Sequence, residues 1–343
     1  MKKIFALVLA LCLLIPFAVP AEEEKVVNIF TWEGYIDDVT LKNFAEETGI
    51  KANYSTFSTN EEMLLKMSSA PGEYDLILAS DYAINMLRKQ DLLYKLDKNE
   101  LPNYGNIGEG YLSQYFDENN EFAIPYTAGM PLIIYDPALV DFEITGYESL
   151  WDERLKDSIV MVDDARNIIG ITLKTMGESF NTTDDEVLKK AEEKLMALRP
   201  NIRSFNYDSP HFDIISGECS VGYMFTSFLT LALSDRPDLK VVYPEEGLGF
   251  GIDALVISKN APHPQNAHKL INYLLDAKVG AHIAETQGYI SPNTAAQQYL
   301  PASIQDNPAL TIPAEKLENT EFIQDLGDYE SVYQAIWQRF KLQ

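Results

Sequence analysis

Short apolar runs alternate along this chain with stretches of helical spacing. Val26, Val27, Ile29 and Phe30 suit a buried strand of a parallel sheet, and that run ends in Trp32-Glu33-Gly34-Tyr35, where strand gives way to loop. Leu41, Phe44 and Ala45 then recur at helical spacing, with Gly49 placed as a helix stop. Residues 50–57 read as a second strand, and Thr59-Asn60-Glu61-Glu62 opens a helix in the manner of a capping box. Residues 74–79 form the next strand, ending in Ser80-Asp81-Tyr82, with Asp81 expected to cap a helix. Strand–helix–strand–helix–strand is the order of a parallel sheet with crossover helices.

Residues 102–121, rich in Asn, Gly and acids, read as surface loop, and short strands follow at 122–126 and 131–135. A second α/β unit is predicted from a helix at 147–155, a strand at 159–162, helices at 168–176 and 185–198, and strands at 218–224 and 239–243. A strand at 255–258 precedes helices at 263–276 and 280–287, and the apolar spacing of 321–340 predicts one long terminal helix. Two α/β units with a late return of the chain suggest a hinged binding protein.

The first residues form a separate pattern. Lys2-Lys3, an apolar stretch at 4–17 and Val19-Pro20-Ala21 read as a signal peptide spanning 1–21, which makes the protein exported, to the periplasm. Lipidation at Cys12 fits less well, because Leu11 before it is bulky. Cleavage lowers the basic count from 27 to 25 against 52 acids, a net charge near −27. That balance argues against nucleic acid or an anionic membrane and suits a cation. Only Cys219 remains, so no intrachain disulfide forms and Cys219 reads as a buried structural residue.

Enzyme motifs fail. His263 and His268 are five apart, and no HExxH, CxxC, GxSxG, GxxxxGK[ST] or GxGxxG occurs. The chain instead places aromatics and acids at predicted strand ends: Trp32, Glu33, Tyr35, Ser80, Asp81, Tyr82, Asp163, Asp164, Phe225 and, beside Phe250, Asp253. Organic ammonium ions are drawn to aromatic faces and to carboxylates, and burying one requires both. Each residue also has a plainer reading. Asp164 suits a helix cap, Trp32 and Tyr82 suit packing, and only Asp253, between Ile252 and Ala254, needs a partner on any reading.

The separated blocks NIFTWEGYI (28–36), EETGIKANYSTFSTNEEM (46–63), YDLILASDY (74–82), IPYTAG (124–129), VDDAR (162–166) and GYISPN (288–293) resemble the spermidine/putrescine-binding proteins of bacterial ABC importers. The resemblance implies a two-lobed, type II-like periplasmic-binding fold, each lobe a mixed sheet flanked by helices. Its lobes would comprise 26–131 with 256–299, and 132–255 with 300–343. It implies Trp32, Tyr35, Ser80, Tyr82, Phe225 and Tyr289 as walls of a polyamine site, and Asp164 and Asp253 as anchors; the acid of the first loop is shifted, with Gly34 in its usual place and Glu33 just before it as a further candidate anchor. Asn167 stands where a Glu is usual, Gly251 where a Trp is usual with Phe250 expected to compensate, and Gln324 or Ile323 only loosely matches a usual Gln. With one acid fewer, putrescine is slightly favoured over spermidine. No cofactor or metal is expected, the permease of the importer is the expected partner, and the protein is expected to be a monomer that closes about Met130 and Asp253. Competing expectations are a binding protein for ferric iron or thiamine, and an exported acid-type hydrolase.

Overall fold

The computed structural model describes residues 24–317 and 319–343; the signal-peptide expectation and Cys12 lie outside them. The first unit opens as expected: β1 (Val26–Trp32), α1 (Asp38–Thr48), β2 (Lys51–Phe57), α2 (Asn60–Ser69), β3 (Leu76–Ser80) and α3 (Asp81–Lys89). The Thr59 hydroxyl accepts from Glu62 N–H at 3.1 Å, and Glu62 reaches back to the N–H of Ser58, one residue before the cap, at 3.0 Å, a variant of the capping box. Gly49 ends α1 in the left-handed conformation at φ 71°, where a side chain would be strained.

β4 (Ala123–Gly129) and β5 (Pro131–Tyr135) are consecutive, yet lie in different sheets. The second unit follows with β6 (Ile159–Met161), α4 (Ala165–Thr175), α5 (Asp185–Leu198), β7 (Ile202–Phe205), α6 (His211–Ile215), β8 (Val221–Phe225), α7 (Thr226–Asp235) and β9 (Lys240–Val242). The chain then returns through β10 (Leu248–Ile257), α8 (Pro264–Leu274), α9 (Ala277–Gln287), α10 (Ala302–Gln305), β11 (Thr320–Phe322) and α11 (Glu330–Lys341). One sheet has the order β11-β10-β3-β1-β2, with β4 also on β10, and the other β7-β6-β8-β5-β9. Both are mixed: β1 runs parallel to β2 and β3 while β10 is antiparallel to β3 and β4, and β6 is parallel to β7 and β8 while β5 is antiparallel to β8 and β9.

Three expectations change. Residues 147–155 form two short 3₁₀ turns, Tyr147–Trp151 and Glu153–Leu155, because Asp152 between them is extended and caps the second. The terminal helix starts only at Glu330. Residues Thr320–Phe322 instead pair in parallel with Leu248–Phe250, and Gly327, at φ 58°, breaks the helical run. The strand expected at 255–258 is the end of a ten-residue strand whose glycine-rich start concealed it. From Gly251 onward β10 pairs with β4, and from Asp253 with β3, so it joins the first sheet earlier than a boundary after Leu255 would have it.

Each sheet is buried under helices. Val27, Ile29, Leu76, Leu78 and Leu255 pack against Phe44, Leu270 and Ile271, while Ile159, Met161 and Val221 pack against Ile168, Leu195, Tyr333 and Trp337. Fully buried Asp75 accepts from the N–H groups of Asn28 at 2.7 Å and His263 at 2.6 Å, which pins β1 to the entry of α8. Among the described residues, no helix is long and apolar enough to cross a membrane, and Cys219 is a buried free thiol whose pKa burial pushes up to about 11.

Candidate functional site

The chain passes between the sheets at Gly129–Pro131 and again between β9 and β10, and the strand-end residues gather beside these passages. Successive residues of a strand face opposite ways, so Gly251 and Asp253 share one face of β10 while Phe250 takes the other. Asp253 lies across from Ser80 on β3 and Thr127 on β4. The Tyr35 hydroxyl donates to its Oδ2 at 2.7 Å. Burial raises the Asp253 pKa despite the Tyr35 and Ser80 hydroxyls, and burial with the Asp253 charge holds the Tyr35 phenol well above its ordinary value.

Aromatic rings surround this pair. Tyr35 lies 6.4 Å from Trp32 and 6.1 Å from Tyr289 between ring centroids, and Trp32 rests edge-on against Phe57 at 4.5 Å. Close packing of Tyr289 over Gly129 puts its ring atoms within about 3 Å of where a Cβ would stand, so that strand end needs a glycine. Tyr82 is reached through Asn60, whose amide donates to the Tyr82 hydroxyl at 2.9 Å and to Ser80 Oγ at 3.2 Å.

From the second unit, Asp164 caps α4, its Oδ1 accepting from Asn167 N–H at 2.8 Å. The cap and the site reading are compatible, because a helix N-terminus needs only part of a carboxylate's acceptor capacity. Burial, with the charges of Glu61, Glu330 and Asp164, raises the pKa of Tyr82 on the first unit, so the units approach each other closely there. Phe225 ends β8 and meets Tyr207 edge-on at 6.4 Å.

Not every expected residue joins this group. Glu33 is exposed and lies by Tyr54, whose phenol pKa is raised by burial and by the Glu33 charge. Gln324 is exposed, with only its backbone tied, its N–H donating to Asn181 and its carbonyl accepting from Arg166. Asn167 is 5% exposed, and its Oδ1 has no hydrogen-bond partner among the described residues. Phe250 does not replace a ring at Gly251: it packs on Phe322 at 5.3 Å and Tyr111 at 6.5 Å, on the far face of β10. No heavy atom lies within 4 Å of a Cβ built on Gly251, so the space beside Asp253 stays open.

Two further residues belong with the group. Tyr207 is 54% exposed, yet enclosure, with the charges of Asp164 and Asp253, raises its phenol pKa. It follows β7 at a strand end, the same signal that singled out Trp32 and Tyr82. Asp81 is not a helix cap but the first residue of α3, and Ser80 at the cap position makes no side-chain cap bond. The Asp81 carboxylate is 3% exposed and accepts from Tyr82 N–H at 2.6 Å and Ile252 N–H at 3.2 Å. Burial, with the Asp253 charge, pushes its pKa up to about 7. Among the described residues, no group of three or more His, Cys, Asp or Glu is placed to hold a metal ion.

Two mixed sheets flanked by helices, with acids and aromatics set where the chain passes between them, make this a protein of the two-lobed periplasmic-binding fold. The chain belongs to the bacterial extracellular solute-binding protein family, which matches residues 40–312. It is similar to the spermidine/putrescine-binding periplasmic protein of Escherichia coli, 35% identical over 326 residues and 94% of each chain. It is also similar to the putrescine/cadaverine-binding protein of Pseudomonas aeruginosa, 28% identical over 100% of this chain and 99% of that one. The solved spermidine/putrescine ABC transporter substrate-binding protein of Streptococcus pneumoniae superposes with a TM-score of 0.85 at 31% identity, covering 93% of this chain and 99% of that one.

Proposed function

We propose that this chain is a periplasmic solute-binding protein that captures a polyamine between two lobes and delivers it to the permease of an ABC importer. The observation that carries this reading is the half-buried, hydrogen-bonded Tyr35–Asp253 pair on β10, flanked by Trp32 and Tyr289. A carboxylate kept from water among aromatic rings is matched by an organic ammonium ion, which satisfies the charge while its methylene chain covers the rings. Asp253 takes one ammonium group and Asp164 the other; Trp32, Tyr35, Tyr82, Phe225, Tyr207 and Tyr289 enclose the chain between them. Ser80 supports Asp253, while Glu33 and Gln324 lie at the margin.

The two sheets form the cores of the two lobes, and closure turns on Gly129–Pro131 and on the start of β10. With Asn167 neutral, the site offers two charged anchors at opposite ends, which favours the dication putrescine over the trication spermidine. The protein works as a monomer, without cofactor, turnover or nucleic acid. Isothermal titration of protein stripped of ligand by unfolding and refolding, first with putrescine and then with spermidine, tests the reading. One-to-one binding, tighter for putrescine, is expected; absence of heat from folded protein would assign the cleft to another cargo, such as iron or thiamine. Cleavage of an ester or glycan would make it a hydrolase instead.

A further inference from the structure

A second cavity lies on the other side of β10. Its volume is about 730 Å³, and its walls include Met130, Phe250, Ile304, Leu310, Ile312 and Phe322. Phe250 lines it while Asp253 faces the site, because the two residues lie on opposite faces of β10. The walls come from both parts of the molecule: Tyr111 and Gln114 from the long loop before β4, and Ile312 from the returning segment, which packs with Leu132, Met224 and Leu248. Tyr289 lines the cavity as well, and its ring stands 6.1 Å from Tyr35.

The lining chemistry differs from that of the site. Although the chain carries 52 acids, none of the described residues around this cavity is charged. An ammonium ion there would lose water without gaining a counter-charge. Hydrogen-bonding groups are interleaved with the apolar walls, from Tyr111, Gln114, Ser291, Gln297 and Thr311 among others. The Gln305 amide is engaged by the carbonyls of Gln297 and Leu300, whereas Thr320 Oγ1 is buried without a hydrogen-bond partner among the described residues. Pockets that hold small organic molecules span about 300–1,000 Å³ and combine apolar walls with a few polar groups.

We propose that this cavity is a second ligand site, for a neutral small molecule that combines an apolar body with hydrogen-bonding groups, and that its occupancy is linked to polyamine binding through β10 and Tyr289. The linkage rests on the polyamine reading; the site itself does not. Since closure moves the lobes about β10, it reshapes the cavity behind that strand, and a molecule filling it biases the same equilibrium. Such coupling acts equally in both directions.

The test uses the neutral fluorophore N-phenyl-1-naphthylamine with the folded protein. Saturable one-to-one binding with blue-shifted emission is expected, insensitive to salt and at least tenfold weaker in Leu310→Trp. Thr311→Trp, at a more exposed wall, serves the same purpose if circular dichroism shows the first variant unfolded. No saturable signal, or equal affinity in the filled variant, overturns the site. At saturating fluorophore the putrescine dissociation constant is expected to shift at least threefold. Fluorophore binding with an unshifted putrescine constant overturns the linkage and keeps the site, while fluorophore binding without any putrescine binding keeps the site and overturns the polyamine reading.

Discussion

Replacing Asp253 by Asn keeps the shape of the side chain and an acceptor for the Tyr35 hydroxyl, and removes the charge alone. If Asp253, half-buried in the empty site, is fully enclosed with an ammonium group on binding, the loss follows from the burial of both partners. Truncating one side of a buried, hydrogen-bonded charge pair costs about 2–5 kcal/mol, or roughly 30- to 5,000-fold in affinity. The ligand-free protein should respond in the opposite sense. Burial raises the Asp253 pKa, and the Asp253 charge helps raise that of Asp81, so the empty site holds a carboxylate its surroundings disfavour. Neutralising it relieves that strain, and the variant should unfold in urea at pH 8 with equal or greater stability than the parent. Titration with putrescine alongside urea unfolding separates the two effects. Affinity within threefold of the parent refutes the role of Asp253. Weaker binding accompanied by a loss of stability above about 2 kcal/mol makes Asp253 a structural residue, since that is the range of an ordinary damaging substitution.

Substitutions at two other positions test neighbouring parts. The Asp81 pKa is raised from 3.8 to about 7, so its contribution to stability is fully present below pH 4 and is lost as the pH rises through 7. A rise of that size is equivalent to about 4 kcal/mol. The stability of Asp81→Asn relative to the parent should therefore rise by up to that amount between pH 4 and 8; urea midpoints whose difference does not change with pH would refute it. A cation held near Asp81 favours its ionised form, so putrescine binding near pH 7 should release protons, detected as different heats in buffers of different ionisation enthalpy. At Asp164, Ser keeps the cap on α4 and removes the charge, whereas Ala removes both. Asp164→Ser should bind putrescine at least tenfold more weakly with little change in stability, and Asp164→Ala should lose about 1 kcal/mol as well. Equal affinity in Asp164→Ser and the parent leaves Asp164 a cap and nothing more.

The first half of the fold was legible because its signals are local. Apolar runs of strand length, a capping box at Thr59 and a stop at Gly49 each act within a few residues, and the structure keeps all three. The errors fall where distant contacts decide. Phe322 and Leu326 fit a helical period with Tyr329, but Phe322 is held as a strand by pairing with Phe250 and by Asn181, whose amide donates to its carbonyl at 2.7 Å. Gly249 looks like a loop residue in sequence, yet sits in β10 because Phe180 and Ile323 leave no room for a side chain. At the site, strand ends located Trp32, Tyr82 and Phe225, and the strand before Tyr207, hidden by the polar Arg203-Ser204, concealed that residue. The charge state of Asp81 was not legible at all, since it follows from enclosure by α3, β10 and Tyr115.

The same placement explains how a site this acidic can report that it is occupied. Asp253 and Asp81 lie on the first unit and Asp164 on the second, and the Asp164 charge is felt at Tyr82 across the gap. Like charges repel, by up to about 4 kcal/mol at contact distance for an effective dielectric constant of about 20 and by less when farther apart. Bringing the lobes together over an empty cleft works against that repulsion, while a diammonium ion between them turns it into attraction. A ligand shifts an equilibrium only by its differential affinity for the two states, and here the difference is built from the acids themselves. A neutral molecule of the same length would fit the aromatic walls and leave the repulsion in place. If the proposed site is right, charge more than shape decides which molecules close the protein, and a permease that docks only the closed form would be spared the empty one.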